Sequence, residues 1–206
     1  MITLEEILRS ERSYDSDRMT ARFMCLGHAV AVAKRMDKPG YWMEFGVHSG
    51  ETINFISHRM PEKMIYGFDS FKGLPEDWIH GFPKGTFNMN GELPEVRQNV
   101  ELVVGLFEQA LPKFLFSRKI VDSIYGEEKV AFLHIDSDLY SSAKYVLHTL
   151  RDRIGSGTVI VFDEMINIPE YEKHEFRAFN EFLEKSELKA HVLCHTNYEQ
   201  VAFVII

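Results

Sequence analysis

The sequence predicts an α/β doubly wound sheet, mostly parallel, with a reversed last strand and N-terminal helices in front of it. Three observations carry that prediction. From residue 41 onward, short apolar strands alternate with helical segments, the pattern of parallel strands joined by crossover helices. The last two apolar runs, "KAHVLCHT" and "EQVAFVII", are separated only by "NY" and neighbouring polar residues, which permits a hairpin but no right-handed crossover. With 206 residues, 45% of them hydrophobic and 26% charged, the chain can bury one sizeable core, so a single domain over 1–206 is expected, with 1–38 as a helical arm.

Residues 3 to 12 form a short amphipathic segment, placed to cover a pocket or to meet a partner in a homodimer. The stretch "MTARFMCLGHAVAVAKRM", residues 19 to 36, sets Met19, Phe23, Leu26, Val30 and Ala33 on one helical stripe and is closed by "DKPG". Strand and helix then alternate through "YWMEFGV", "GETINFISHRM", "MIYGFD", "VELVVG", "FEQALPKFLF" and "KVAFLHID". A helix with Ala143, Val146, Leu147, Leu150 and Ile154 on one face ends at Gly155 and leads into the strand "GTVIVFDE". The segment "EYEKHEFRAFNEFLEKS" follows, with Phe176, Phe179, Phe182 and Leu183 spaced for a helix that packs aromatic residues on the sheet. The long irregular region, residues 70 to 99, is rich in glycine, proline and aromatic residues; Trp78, Phe82 and Phe87 favour an ordered lid over a bound ligand, the alternative being a surface excursion that packs its own rings.

Composition removes several function classes. A net charge of −8 argues against a sequence-independent grip on nucleic acid or an anionic membrane. Cys25 and Cys194 have no CxxC partner and read as reduced, buried thiols. The N-terminus has no apolar signal core and no apolar run approaches ~20 residues, so a cytoplasmic protein acting on a small molecule is expected.

Acids and glycines at strand ends carry the chemistry. In "EFGVHSG", Glu44 ends a strand and Gly46 and Gly50 bracket a turn into a helix, with His48 and Ser49 between them. In a doubly wound sheet the ligand crevice lies at the carboxyl ends of the strands, where glycines let backbone approach the ligand. This is not the GxGxxG of a dinucleotide site, and an acid before the first glycine repels phosphate. A cationic, hydroxyl-rich ligand such as S-adenosylmethionine suits it better. Asp69, followed by Ser70, ends the next strand, where an acid accepts the hydroxyls of a ribose; an Asx turn is the structural alternative. Asp136 ends the strand "FLHID", and Asp163 and Glu164 end the following one, so three carboxylates converge, a set of hard oxygen donors suited to Mg²⁺ or another divalent cation. Each could instead cap a helix, Asp138 above all, since it directly precedes one. His134 lies inside its strand and reads as a satisfied interior histidine, while His48 and His80, in loops toward the crevice, are candidates for acid/base work.

Taken together, "EFGVHSGETINFI", "YGFDSFKGLPEDW", "GFPKGTF", "NVELVVGLFEQALPKF", "FLHIDSDLYSSAKYVL" and "GTVIVFDE" resemble the macrocin O-methyltransferase family of class I S-adenosylmethionine-dependent enzymes, over about residues 41 to 182. The resemblance implies a seven-stranded Rossmann-like sheet with a reversed last strand and a divalent cation, commonly Mg²⁺, beside the methyl donor. It matches Glu44, Gly46 and Gly50 to the donor-binding loop, Asp69 to the ribose acid, and Gly105 and Phe107 to the strand that reaches the adenine. It places Asp136, Asp163 and Glu164 on the metal, with Asp136 also near the donor, and makes Asp138 a further ligand or a general base. The expected activity is methyl transfer to a hydroxyl of a sugar or natural-product-like acceptor, with Asp138 or a loop histidine, His80 or His48, taking the proton. A nucleotide-dependent oxidoreductase, disfavoured by the missing GxGxxG, and a non-catalytic nucleoside-binding protein are the competing readings.

Overall fold

The computed structural model describes residues 1–125 and 128–206. The arm holds α1 (Leu4–Leu8), a two-residue strand β1 (Ser13–Tyr14) and α2 (Arg18–Met36). The alternating region then runs β2 (Tyr41–Phe45), α3 (Glu51–Arg59), β3 (Ile65–Asp69), β4 (Val100–Val104), α4 (Phe107–Tyr125), β5 (Val130–Ile135), α5 (Tyr140–Leu150) and β6 (Val159–Phe162). A 3₁₀ turn (Tyr171–Lys173), α6 (Glu175–Ser186), β7 (Ala190–Thr196) and β8 (Val201–Ile205) complete it. One eight-stranded sheet has the order β1-β7-β8-β6-β5-β2-β3-β4, with β8 antiparallel to both of its neighbours and every other pairing parallel. This is the predicted Rossmann-like α/β sheet with its reversed last strand.

The sheet has eight strands where seven were expected, because the arm adds β1 to its edge. Two residues are too few to show a period of two in the sequence. The pairing of Ser13 and Tyr14 with His195 and Thr196 is made by tertiary contact, which a bond between Ser10 Oγ and His195 Nδ1, 2.8 Å, reinforces.

The core lies in two layers, because side chains alternate across a strand. Met43, Phe45, Leu133 and Ile135 face α4, α5 and α6, whereas Trp42, Phe132, Val159 and Val161 face α2 and α3. Strands β2, β5 and β6 are therefore buried throughout, as befits parallel strands covered on both faces. In α5, Ala143, Val146, Leu147 and Leu150 are buried as the periodicity predicts, while Ile154 is buried beyond the helix end.

The periodicity reads the second half of α2 correctly and misses at its start. Met19 is largely exposed and Phe23 packs sideways on Phe55, their ring partner at 4.8 Å being outside the sheet. The inward face consists of Ala21, Cys25, Leu26, Ala29, Val30, Val32 and Ala33, so that Leu26, Val30 and Ala33 of the predicted stripe lie on it and Met19 and Phe23 do not. Small residues let α2 sit close to the sheet, and they bring the side chain of Arg22 to its upper edge. Cys25 and Cys194 are buried as expected, with their sulfur atoms 3.3 Å apart between α2 and β7.

Residues 70–99 contain no named helix or strand but are tied by their own turns. Leu74 N donates to Thr86 O, Gly85 N to Leu74 O and Trp78 N to Phe82 O. The rings of Trp78, Phe82 and Phe87 pack in sequence, the first pair edge-on and the second tilted, and Ser141 Oγ of α5 donates to Glu76 Oε1. Among the described residues, no helix is long and apolar enough to cross a membrane.

Candidate active site

The strand order reverses between β2 and β5, and there, at the carboxyl ends of the strands, opens a cavity of about 370 Å³. Two groups of residues form its walls, a glycine turn after β2 and a cluster of acids after β5 and β6.

In the glycine turn, Gly46 has φ +96°, and a Cβ built there would lie 1.7 Å from the backbone oxygen of Asp136. Only glycine lets the ends of β2 and β5 come this close. Asp69, at the end of β3, holds the turn in place. Its Oδ2 accepts from Val47 N and His48 N, at 2.9 and 2.8 Å, and its Oδ1 from Phe71 N at 2.7 Å. Gly50, φ +82°, begins α3 without itself lining the cavity. His48, Ser49, Asp69, Ser70, Gly105 and Phe107 all line it, and His48 lies edge-on to Phe87 of the long loop.

Besides Gly50, two predicted residues lie off the cavity. Glu44 is wholly buried beneath the turn, accepting from Thr52 Oγ1 at 3.0 Å and from His134 Nδ1 at 2.9 Å, so it cannot face a ligand as the sequence suggested. The reason is strand alternation together with register: Glu44 pairs with His134 across β2 and β5, and the two side chains meet on the same face under α3. His80 is exposed on the long loop and does not line the cavity.

In the acid cluster, Ile135 is in register with Phe162, so Asp136 and Asp163 leave the sheet side by side. Arg22 from α2 reaches across both. Its Nη2 donates to Asp136 Oδ2 and its Nε to Asp163 Oδ1, the latter at 2.8 Å. Gln200 Nε2 donates to the other oxygen of Asp163 at 3.4 Å. His134, two residues before Asp136 and on the same face, donates Nδ1–H to Glu44, since an ionised carboxylate can only accept. Its Nε2 is buried without a partner, 3.8 Å from Asp163 Oδ1. Glu164 Oε2 is also buried without a partner.

Glu175, fully buried at the start of α6, ties the cluster together. Its Oε2 accepts from Glu164 N at 3.1 Å and its Oε1 from Ser137 N and Oγ, both at 3.4 Å, which links the turns after β5 and β6. Asp138 lines the cavity with φ +59° and caps nothing, because the N-cap of α5 is Leu139 and carries no side-chain cap bond.

The electrostatics follow from burial and crowding. Burial, then the charge of Asp163, pushes the carboxyls of Asp136 and Glu164 well above the usual range, and burial does the same to Glu175. Asp138 is raised to about 7, by burial first and then by Asp163. Burial would raise Asp163 too, but Arg22 and His134 outweigh it and hold this one acid ionised. Arg22 keeps its proton against burial through Asp163 and Asp136.

The donor set suits a divalent cation. His134 Nε2 and carboxylate oxygens of Asp136 and Asp163 lie within 4.8 Å of one another, and two buried polar atoms nearby lack partners. Three residues of this site were not found from sequence. Arg22 and Glu175 carry no local signal, and His134 reads as a satisfied core histidine; its i, i+2 spacing to Asp136 on one strand face was the available signal.

A family profile described as a methyltransferase domain matches residues 43–165. Curated proteins yield no sequence match. Among solved structures, the fold is similar to CalS11, a calicheamicin methyltransferase, with TM-score 0.70 and 20% identity over 92% of this chain and 80% of that one. CalS11 is also described, in its apo form, as a TDP-rhamnose 3'-O-methyltransferase. The O-methyltransferase NovP follows with TM-score 0.65 and 18% identity over 89% and 78%. An O-methyltransferase from Bacillus cereus in complex with SAH gives 0.51 and 12% over 89% and 80%.

Proposed function

The chain belongs to the methyltransferase-domain family, whose profile spans residues 43–165 of its 206, and from that premise we propose that it is an S-adenosylmethionine-dependent O-methyltransferase of the macrocin O-methyltransferase type, aided by Mg²⁺ or another divalent cation. The acceptor is a hydroxyl of a small sugar or natural-product-like molecule, the class to which the TDP-rhamnose named for CalS11 belongs. The whole chain acts as one domain, with residues 70–99 as the lid. The observation that carries this reading is that one cavity joins the glycine turn and Asp69 to Asp136, Asp138, Asp163 and Glu164.

The donor, when bound, supplies an electrophilic methyl group on a sulfonium. Gly46, His48, Ser49, Asp69, Ser70, Gly105 and Phe107 would hold it, with Asp69 using acceptor capacity beyond its backbone bonds, since each carboxylate oxygen has two lone pairs. A divalent cation, when bound by Asp136, Asp163, Glu164 and His134, supplies Lewis acidity toward the acceptor hydroxyl. Asp138 takes the hydroxyl proton, because its carboxylate faces the cavity and is committed to no helix cap. Leu74, Pro75 and Phe87 of the lid exclude water and hold the acceptor in line, which is most of what methyl displacement requires.

Titration of the purified chain with S-adenosylhomocysteine by calorimetry, with and without Mg²⁺, tests the reading. Saturable one-to-one binding is expected, and no binding under either condition would overturn it.

A further inference from the structure

Arg22 occupies the place where the reading above puts a divalent cation, and that coincidence has a mechanical consequence. Its guanidinium donates to Asp136 Oδ2 and Asp163 Oδ1 with the side chain largely buried, and it is delivered by a helix whose small inward residues fix its distance from the sheet. The guanidinium leaves part of the site unused. His134 Nε2, beside Asp136 and Asp163, and Glu164 Oε2, of a residue lining the same cavity, are buried without a partner, so the pocket holds more ligand capacity than Arg22 takes up. A dication would satisfy all of this, but it would claim the two oxygens that Arg22 already holds. Two cations on shared ligand atoms repel by several kcal/mol even where solvent screens them.

We propose that Arg22 and a divalent cation are alternative occupants of the Asp136/Asp163 site, so that loading the metal expels the guanidinium and loosens the first turns of α2. This rests on the divalent-cation part of the proposed function. In the metal-free protein Arg22 is then the internal counter-ion that keeps two adjacent aspartates from repelling each other. It sets the metal affinity of the site without being a ligand.

The test uses the full chain and Mn²⁺ alone. Calorimetry should show that Arg22→Gln binds Mn²⁺ at least about tenfold more tightly than the wild type, while Arg22→Lys, which keeps the charge, stays nearer to the wild type. In the wild type, Mn²⁺ should speed amide exchange between Ala21 and Cys25. That measurement stands by itself if the glutamine variant fails to fold. Unchanged or weaker Mn²⁺ binding by a folded Arg22→Gln variant, absence of Mn²⁺ binding in both proteins, or slowed exchange in α2 would overturn the proposal. A parallel S-adenosylhomocysteine titration separates the two readings. Donor binding together with an Mn²⁺ affinity indifferent to Arg22 sinks this inference alone, whereas Mn²⁺ competition without donor binding sinks the methyltransferase assignment and leaves this one standing.

Discussion

The two walls of the cavity are built on opposite principles. At the glycine turn every charged oxygen of Asp69 is met by backbone amides within a few residues of the same elements, so the wall is complete as it stands. At the acid cluster, five acids crowd together with their carboxyls perturbed, two buried polar atoms lack partners, and the compensation comes from helices distant in sequence. The first wall is shaped to receive a ligand. The second stores electrostatic imbalance that a ligand would relieve, which is where perturbed carboxyls and chemistry are expected to coincide.

The most severe way to break this contrast is at its seam. Gly46→Ala places a methyl group on the Asp136 carbonyl in a left-handed backbone, so both walls must move; a loss of more than about 3 kcal/mol is expected, read as a collapse of the thermal transition or of soluble yield. Asp138→Asn attacks only the second wall. It should slow methyl transfer by ~10²–10⁴-fold while S-adenosylhomocysteine affinity stays within about twofold, and a parallel loss of donor affinity would argue against the base role. Glu44→Gln crosses between the walls, since Glu44 lies under the glycine turn but orients His134. Mn²⁺ affinity should fall by ~10–100-fold with donor affinity unchanged, as for other carboxylates that orient a ligating histidine.

The smallest effect marks what the same charges do in solvent. Glu181, on the outer face of α6, is bonded to Lys144, Tyr140 and Arg177, and Lys144 first among them lowers its carboxyl to about 2. A lowered folded pKa means that its contribution is present above the ordinary value of 4.5 and fades as pH falls from there through about 2. Glu181→Gln should therefore cost less than about 1 kcal/mol near neutral pH and progressively less as pH falls toward 2, by urea unfolding.

The first wall was largely legible in the chain. A strand, a glycine, a second glycine and an acid closing the next strand are local signals, and the structure brings Gly46, His48, Ser49, Asp69 and Ser70 to one cavity. The second wall was legible only in its acids. Arg22 was hidden because at the start of α2 the inward residues are the small Ala21 and Cys25, so the larger apolar residues Met19 and Phe23 set the stripe there. Glu175 stands in a charged run with Glu170, Glu172 and Lys173, and only its burial against the turns after β5 and β6 reveals it. Glu44 was misplaced for the reverse reason: a strand-end acid was assumed to point outward, whereas register turned it onto His134.

By itself the sequence determined the sheet, its reversed last strand and the positions of the acids, because periods of two and 3.6 and the chemistry of turns act over a few residues. Tertiary structure alone decided which cation meets which acid. Arg22 lies 114 and 141 residues from the aspartates it binds, and Coulomb forces act through space without regard to that separation.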